Sequence, residues 1–211
     1  MQKELTKRIL TSIFLLPIVL FIIHKGSLIF TFFILICFLI SSYEWHKMSK
    51  KMSHKLLGLI FLFFSFYSIY KLRNDFNNTY LFLLFVTIVC ISTDIGGYFF
   101  GKFLKGPKLS KISPNKTYAG MIGGFLLSII STIIFMNYTI QDELILHWLI
   151  FAFLISCISQ FGDFIISYFK RLSKIKDTGK IIPGHGGLLD RIDGMIFAFP
   201  FSYIILLTNF V

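Results

Sequence analysis

A polar segment near the end of the chain, residues 167–193, combines residue types that suit chemistry on phosphates. It reads SYFKRLSKIKDTGKIIPGHGGLLDRID and contains six Lys or Arg and three Asp. Cations hold phosphate oxygens, glycine amides line them, and carboxylates hold a divalent ion. Because apolar stretches flank the segment on both sides, a bilayer alone gives no reason for so much charge. The pattern therefore indicates metal-assisted chemistry on phosphates.

Four aspartates are candidate metal ligands. Asp190 and Asp193 lie three residues apart and share one face if a helix begins there. Asp163 lies four residues before Ser167, and Asp94 lies within another apolar stretch. An acid at bilayer depth costs about 2.5–3.5 kcal/mol on insertion scales, so it normally faces protein or a wet cavity. Because Asp163 and Asp190 flank one loop, we expect them to converge on Mg²⁺, with helix capping or helix–helix hydrogen bonding as the alternative.

The glycine-rich turn Pro183–Gly187 is predicted to cradle a phosphate. Its backbone amides are exposed and its glycines allow positive φ, so Gly184, Gly186 and Gly187, with Ser167, are candidate substrate contacts. His185 could donate to a phosphate, act as a base or pin the loop. Candidate catalytic residues of the same segment are Lys170, Arg171, Lys176, Asp177, His185 and Arg191.

A second polar stretch, Ser113–Thr117, precedes another apolar run. Ser113 suits an N-cap and Pro114 suits the first helical position. Ser113, Lys116 and Thr117 are candidate substrate contacts, of which Lys116 and Thr117 would reach phosphate at the positive end of that helix, although the stretch also fits a simple cap. Earlier in the chain, Glu44-Trp45 is interpreted as an anchor at the membrane interface.

The composition indicates which elements position these residues. Apolar residues make up 55% of the 211 residues and aromatic residues 18%, with a mean hydropathy of +0.77. Such values predict an all-α polytopic membrane protein. The net charge of +11 lies in loops between apolar runs, which favours anionic lipid or phosphates over nucleic acid.

Seven apolar stretches are predicted to be transmembrane helices, with the second and third short and the third the weakest. Alternating them from a cytoplasmic N-terminus places all but three of the 21 Lys and Arg residues on one side, the exceptions being Lys25, Lys71 and Arg73. The chain is then N-in and C-out, and its basic loops 101–118 and 168–193 share the cytoplasmic face as an active site. The stretches are 5–23, 28–43, 56–70, 79–100, 119–137, 144–167 and 194–210.

The polar segment resembles the signature of the phosphatidate cytidylyltransferase family, also called CDP-diacylglycerol synthases. That signature runs Ser-x-x-Lys-Arg, Lys-Asp-x-Gly, Pro-Gly-His-Gly-Gly and Asp-Arg-x-Asp, and every anchor from Ser167 to Asp193 is present. Other blocks of the family resemble this chain in the same order: Arg8-Ile-Leu, Glu44-Trp45, Asp94-Ile-Gly-Gly-Tyr with Gly101-Lys102, and Ser113-Pro-Asn-Lys-Thr with Gly120. The region between Glu44 and Asp94 departs from the family, which usually has more helices there.

The resemblance implies transfer of a cytidylyl group from CTP to phosphatidate, with Mg²⁺ and a second metal ion at aspartates matching Asp163 and Asp190. It further implies a bacterial-type inner membrane, an active site facing the cytoplasm and a homodimer. We expect a single integral membrane domain over residues 1–211, in which an N-terminal helical region (1–78) precedes a catalytic region (79–211).

Other functions remain open at this point. A lipid-alcohol kinase or a cytidylyltransferase for an ether-linked isoprenoid lipid would use a similar scaffold. A transporter or channel would also carry intramembrane acids, and an inactive relative would keep the signature. A CDP-alcohol phosphotransferase is disfavoured, because its DGxxAR motif is missing.

Overall fold

Helices make up most of the described chain, and two longer connections, residues 105–117 and 173–188, lie between them. The computed structural model describes residues 15, 17–49, 52–75, 80–110, 113, 116–139, 145–182, 184 and 186–208. Within these residues no strand forms, and the only β-type pairs are the isolated bridges Lys108–Thr117 and Ile182–Gly186. The predicted all-α class is confirmed. The helices are α1 (17–25), α2 (Ser27–Met48), α3 (Met52–Asn74), α4 (Leu81–Leu104), α5 (Tyr118–Thr139), α6 (Ile145–Leu172), α7 (Leu189–Ile192) and α8 (Met195–Leu207).

In the described part of the chain, five helices, α2 to α6, are long and apolar enough to cross a membrane, so the chain is an integral membrane protein. The second and third predicted spans are longer than expected, since α2 has 22 residues and α3 has 23. The last predicted span, 194–210, corresponds to α8, whose 13 residues fall short of the roughly 20 that cross a bilayer. Most of the first, 5–23, lies outside the described residues, so the count of seven and the orientation stay predictions.

Helices α4 and α5 pack through glycines, which brings their backbones together. A Cβ added at Gly96 would lie 2.3 Å from the carbonyl oxygen of Gly123, and one added at Gly120 would lie 2.7 Å from that of Gly97. Small residues at such interfaces allow the close backbone approach that holds membrane helices together. The interface fixes Asp94 on α4 relative to the turn that leads into α5.

Helix α6 is the longest, with 28 residues, or about 42 Å at 1.5 Å per residue. It ends in a Schellman motif, because Ile175 N–H donates to Lys170 O (3.0 Å) and Lys174 N–H donates to Arg171 O (3.0 Å). Lys174 takes the left-handed conformation, with φ 57°, at the position that glycine usually occupies. This stop turns the chain back across the end of the bundle.

The last helix is tied to α3 at its proline. Pro200 lies inside α8 and cannot donate to the carbonyl of Ile196 four residues before it. Ser65 of α3 donates to that carbonyl instead, at 2.7 Å, and its side chain is fully buried. Lone backbone acceptors are costly in a membrane, so this bond fixes α8, and the acidic turn before it, against the N-terminal helices.

Candidate active site

Lys170 is the centre of the polar segment. Its ammonium Nζ lies 3.0 Å from Asp190 Oδ1 and 3.6 Å from Asp193 Oδ2. Only 10% of its side chain is exposed, and only 4% of that of Asp190. The single turn of α7 carries Asp190, and Asp193 follows directly, so the three-residue spacing lets both acids meet one lysine from α6.

The Asp190 carboxylate holds two stretches of the loop together. Its Oδ2 accepts hydrogen bonds from the backbone N–H of Thr178 (2.7 Å) and of Gly187 (3.0 Å). Since its Oδ1 contacts Lys170, both oxygens are bound by protein donors. In this conformation Asp190 anchors the loop.

The glycine-rich turn is closed by its own backbone. Ile182 and Gly186 exchange hydrogen bonds of 2.9 and 3.2 Å, and Gly184 and Gly186 have φ values of 77° and 92°, which side chains rarely adopt. The amides of Gly186 and Gly187 thus donate to protein atoms. Gly184 lies exposed at the tip of the turn. His185 lies outside the described residues.

A second acid–lysine contact joins the turn between α4 and α5 to α6. Lys116 forms an ion pair with Asp163 Oδ2, and Ser167 Oγ donates to Asp163 Oδ1 at 3.3 Å. The side chains of Lys116 and Asp163 are 27% and 28% exposed. Asp163, Ser167 and Lys170 share one face of α6 because they are spaced by four and three residues.

The cap of α5 differs from the prediction. The helix begins at Tyr118, and Thr117 Oγ1 accepts from the N–H of Gly120 at 3.1 Å, so the N-cap is Thr117. Ser113 lies four residues further back, where its carbonyl accepts from the N–H of Lys116. Both hydroxyl residues suit a cap. In the turn, Leu109 N–H donates to the carbonyl of Lys116 and Tyr118 N–H donates to that of Pro107. These bonds place Thr117, and not Ser113, at the start of the helix.

Electrostatic interaction links the two acid–lysine groups. Burial raises the pKa of Asp193 well above its usual value, and the nearby carboxylates of Asp163 and Asp94 raise it further, while Lys170 and Lys116 lower it. Negative charge is therefore concentrated around Asp193, between α4, α6 and α7. Asp94 itself has an exposed side chain.

The remaining candidate residues lie at the exposed surface of the segment. Arg171 Nη1 donates to the carbonyl of Ile175 at 3.1 Å, which supports the turn after α6. The side chains of Lys176, Asp177 and Arg191 are exposed.

Glu44 was misread as an interfacial anchor, since only 1% of the residue is exposed. Its carboxylate accepts hydrogen bonds from Thr178, Leu188 and Leu189, all of which lie at least 134 residues away along the chain. Its neighbour Trp45 contacts Phe169 of α6. The sequence did contain one sign of a special role for Glu44: it is the only acidic residue between Glu4 and Asp75.

Asp163, Asp190 and Asp193 are not equally suited to bind a divalent cation. Among the described residues, no three His, Cys, Asp or Glu side chains are grouped as ready ligands for a metal. Carboxylate oxygens are nevertheless the donors that Mg²⁺ prefers. Asp163 and Asp193 face lysines and repel one another's charge, so a cation would relieve them. Asp190 fits less well, because both its oxygens already have partners.

Comparison with known sequences gives one family. The sequence model described as "Cytidylyltransferase family" matches residues 6–74 and 52–209. A phosphatidate cytidylyltransferase of Rickettsia bellii is 36% identical, over 97% of this chain and 91% of the relative. The enzymes of that name from Bacillus subtilis and Staphylococcus saprophyticus are 37% and 39% identical, over 71% and 60% of this chain but only 56% and 49% of their own lengths. This chain belongs to the cytidylyltransferase family.

Proposed function

We propose that this protein transfers the cytidylyl group of CTP to phosphatidate, which yields CDP-diacylglycerol and pyrophosphate. Its relatives of near-equal length carry the name of that enzyme. The observation that carries the proposal is the meeting of two polar stretches at one group of acids. Lys170 contacts Asp190 and Asp193, and Lys116 of the other stretch contacts Asp163 on the same helix as Lys170.

The reaction balances without a strong base. A phosphate oxygen of phosphatidate attacks the α-phosphorus of CTP and forms a new P–O bond. The bond from that phosphorus to the bridging oxygen of the β-phosphate breaks, and pyrophosphate leaves with the electron pair. Because the attacking phosphate is already an anion near neutral pH, this chain's residues need only bring two polyanions together and hold them in line.

We assign that task to the cations of the two stretches. Lys116 and Lys170 face carboxylates in the structure, and an incoming phosphate offers each ammonium charge-assisted hydrogen bonds of the same kind. The exposed Lys176 and Arg191 extend the positive surface around them. Arg171 supports the turn, with Asp177 and Ser167 beside these cations.

The residues suited to hold Mg²⁺ are Asp163 and Asp193, with Asp94 near them. When bound, Mg²⁺ supplies neutralisation of charge on phosphate oxygens. A second ion of the kind that the resemblance implies would draw on the same carboxylates. Asp190 keeps its amide bonds in this proposal and orients Lys170.

The basic loops support an orientation with the site at the cytoplasmic face of the inner membrane. Anionic lipid headgroups are attracted to that face by the same residues. The homodimer stays a prediction, which mass measurement of the purified protein in detergent tests.

The direct experiment is an assay of purified protein with labelled CTP, phosphatidate and Mg²⁺. We expect a labelled lipid and pyrophosphate in equal amounts, and no product when either substrate is left out. Diacylglycerol and an isoprenoid ether phosphate serve as alternative acceptors. Labelling of the ether lipid alone, phosphorylation of diacylglycerol, or no product from phosphatidate contradicts the proposal.

A further inference from the structure

A buried acid from the second helix reaches into the polar segment. Glu44 Oε1 accepts from Leu188 N–H at 3.1 Å, and Oε2 accepts from Leu189 N–H at 2.8 Å and from Thr178 Oγ1 at 3.0 Å. All three donors are uncharged, yet they surround a carboxylate that is 1% exposed. A buried carboxylate is stable only where such hydrogen bonds replace water.

Two glycines of the segment leave room for this carboxylate. A Cβ at Gly179 would lie 2.4 Å from Glu44 Oε1, and a Cβ at Gly187 would lie 2.6 Å from Oε2. Neither position has a positive φ. Space for Glu44 is therefore a physical reason for glycine at both positions, beside any contact with phosphate.

The same two stretches of chain are held by Asp190. Thr178 gives its hydroxyl to Glu44 and its N–H to Asp190. Three successive backbone N–H groups are shared in the same way. Gly187 donates to Asp190, whereas Leu188 and Leu189 donate to Glu44. Displacing one carboxylate thus moves the donors of the other.

We propose that Glu44 is a positioning residue for the nucleotide site: through Thr178 and the start of α7 it sets Asp190, and through Asp190 it sets Lys170. The role in catalysis rests on the proposed function, whereas the coupling of the two carboxylates does not. Glu44 touches no substrate in this account. In this proposal the ammonium of Lys170, which Glu44 positions through Asp190, holds the phosphates of CTP.

The coupling is tested by amide-resolved hydrogen exchange of the purified protein. We expect Thr178→Val, which removes one hydroxyl at nearly constant volume, to speed exchange at Gly187 as well as at Leu188 and Leu189. Gly187 N–H bonds to Asp190 and not to Glu44, so a change there reports transmission. Glu44→Gln should act in the same direction and more strongly. Faster exchange confined to Leu188 and Leu189, or none, overturns the coupling.

The catalytic role is tested by kinetics with CTP and phosphatidate. Mutation of the groups that orient the ligands of a metal ion typically lowers metal affinity or activity about 10–100-fold, and Glu44 stands in the same indirect relation to Lys170. We expect Thr178→Val to raise KM for CTP about tenfold while KM for phosphatidate stays the same, and Thr178→Ser to restore it. A merely structural role would lower the active fraction and leave both KM values unchanged, which overturns the positioning role.

Thr132→Val is the matched control. Thr132 is also fully buried, but its hydroxyl donates to Ser128 within α5, away from the segment. It should change neither the exchange at Gly187 nor KM for CTP. If wild-type protein makes no CDP-diacylglycerol, the proposed function fails, and the exchange experiment still decides whether Glu44 and Asp190 are coupled.

Discussion

Asp190 and Asp163 lie at opposite extremes of how a protein holds a carboxylate. Asp190 is almost fully buried, and two backbone amides and Lys170 bind its oxygens. Asp163 is more than a quarter exposed, and a serine and one equally exposed lysine bind it. Bonds to backbone amides break only if the loop moves, whereas a partly exposed lysine exchanges its partner easily. The comparison separates an acid that builds the site from an acid that is available to ligands.

The largest expected effects come from two separate variants, in which Asp163 or Asp190 is replaced by asparagine. Asp163→Asn should lower turnover of CTP about 10²–10³-fold, because metal-bound charge stabilisation is worth several kcal/mol, with little change in Tm. Asp190→Asn should lower both turnover and Tm, since it also loosens the loop. Turnover in detergent and thermal unfolding measure the two effects.

Asp75→Asn serves as the control for this pair of variants. Asp75 forms an exposed ion pair with Lys71 at the end of α3, which contributes little to stability. It should match wild type in both measurements. An Asp190→Asn protein with wild-type Tm and turnover contradicts the anchoring role.

The lysines sharpen the same contrast at a smaller scale. Lys170→Met leaves Asp190 buried without its ammonium, and breaking a buried pair in this way costs about 3–5 kcal/mol. Lys116→Met removes a partly exposed partner of Asp163 and should cost no more than about 1 kcal/mol. Unfolding by denaturant in detergent checks both. Equal losses for the two variants would remove the distinction between the regions.

The smallest expected effect is that of Asp193→Asn on how the stability of the folded protein depends on pH and Mg²⁺. Burial and two neighbouring acids raise the pKa of Asp193 in the folded state, so the folded protein binds more protons than the unfolded one between about pH 4 and that raised pKa. In EDTA the stability of the wild type should therefore fall as the pH rises from about 4 through the raised pKa, and Asp193→Asn should reduce this fall. Mg²⁺ should stabilise wild type more than the variant. A Tm that responds to pH and Mg²⁺ identically in both proteins contradicts the assignment.

The sequence indicated which residues belong to the site better than it indicated which residues contact one another. The spacing of Asp190 and Asp193 predicted that they share a face, and both do meet Lys170. The contact of Lys116 with Asp163 joins the turn before α5 to α6, and a charge pattern does not encode how those two elements are placed. Asp163 and Asp190 were expected to play one role, since sequence does not show which acid has backbone amides within reach.

Errors arose where tertiary contacts override local preference. Ser113 and Thr117 are both good caps, and the fold of the turn uses Thr117. Glu44 resembled a residue at the membrane surface because its partners lie more than 130 residues further along the chain. The apolar stretch at 194–210 continues beyond Leu207, where α8 ends, so hydropathy overstated the helix.

Binding of Mn²⁺ in place of Mg²⁺, followed by electron paramagnetic resonance, tests the central distinction most directly. If Asp163 is a ligand and Asp190 an anchor, Asp163→Asn should weaken Mn²⁺ binding about 100-fold or more, while Asp190→Asn should weaken it by no more than about tenfold. A wild type that binds no Mn²⁺, or an Asp190→Asn variant that loses binding while Asp163→Asn retains it, contradicts the account.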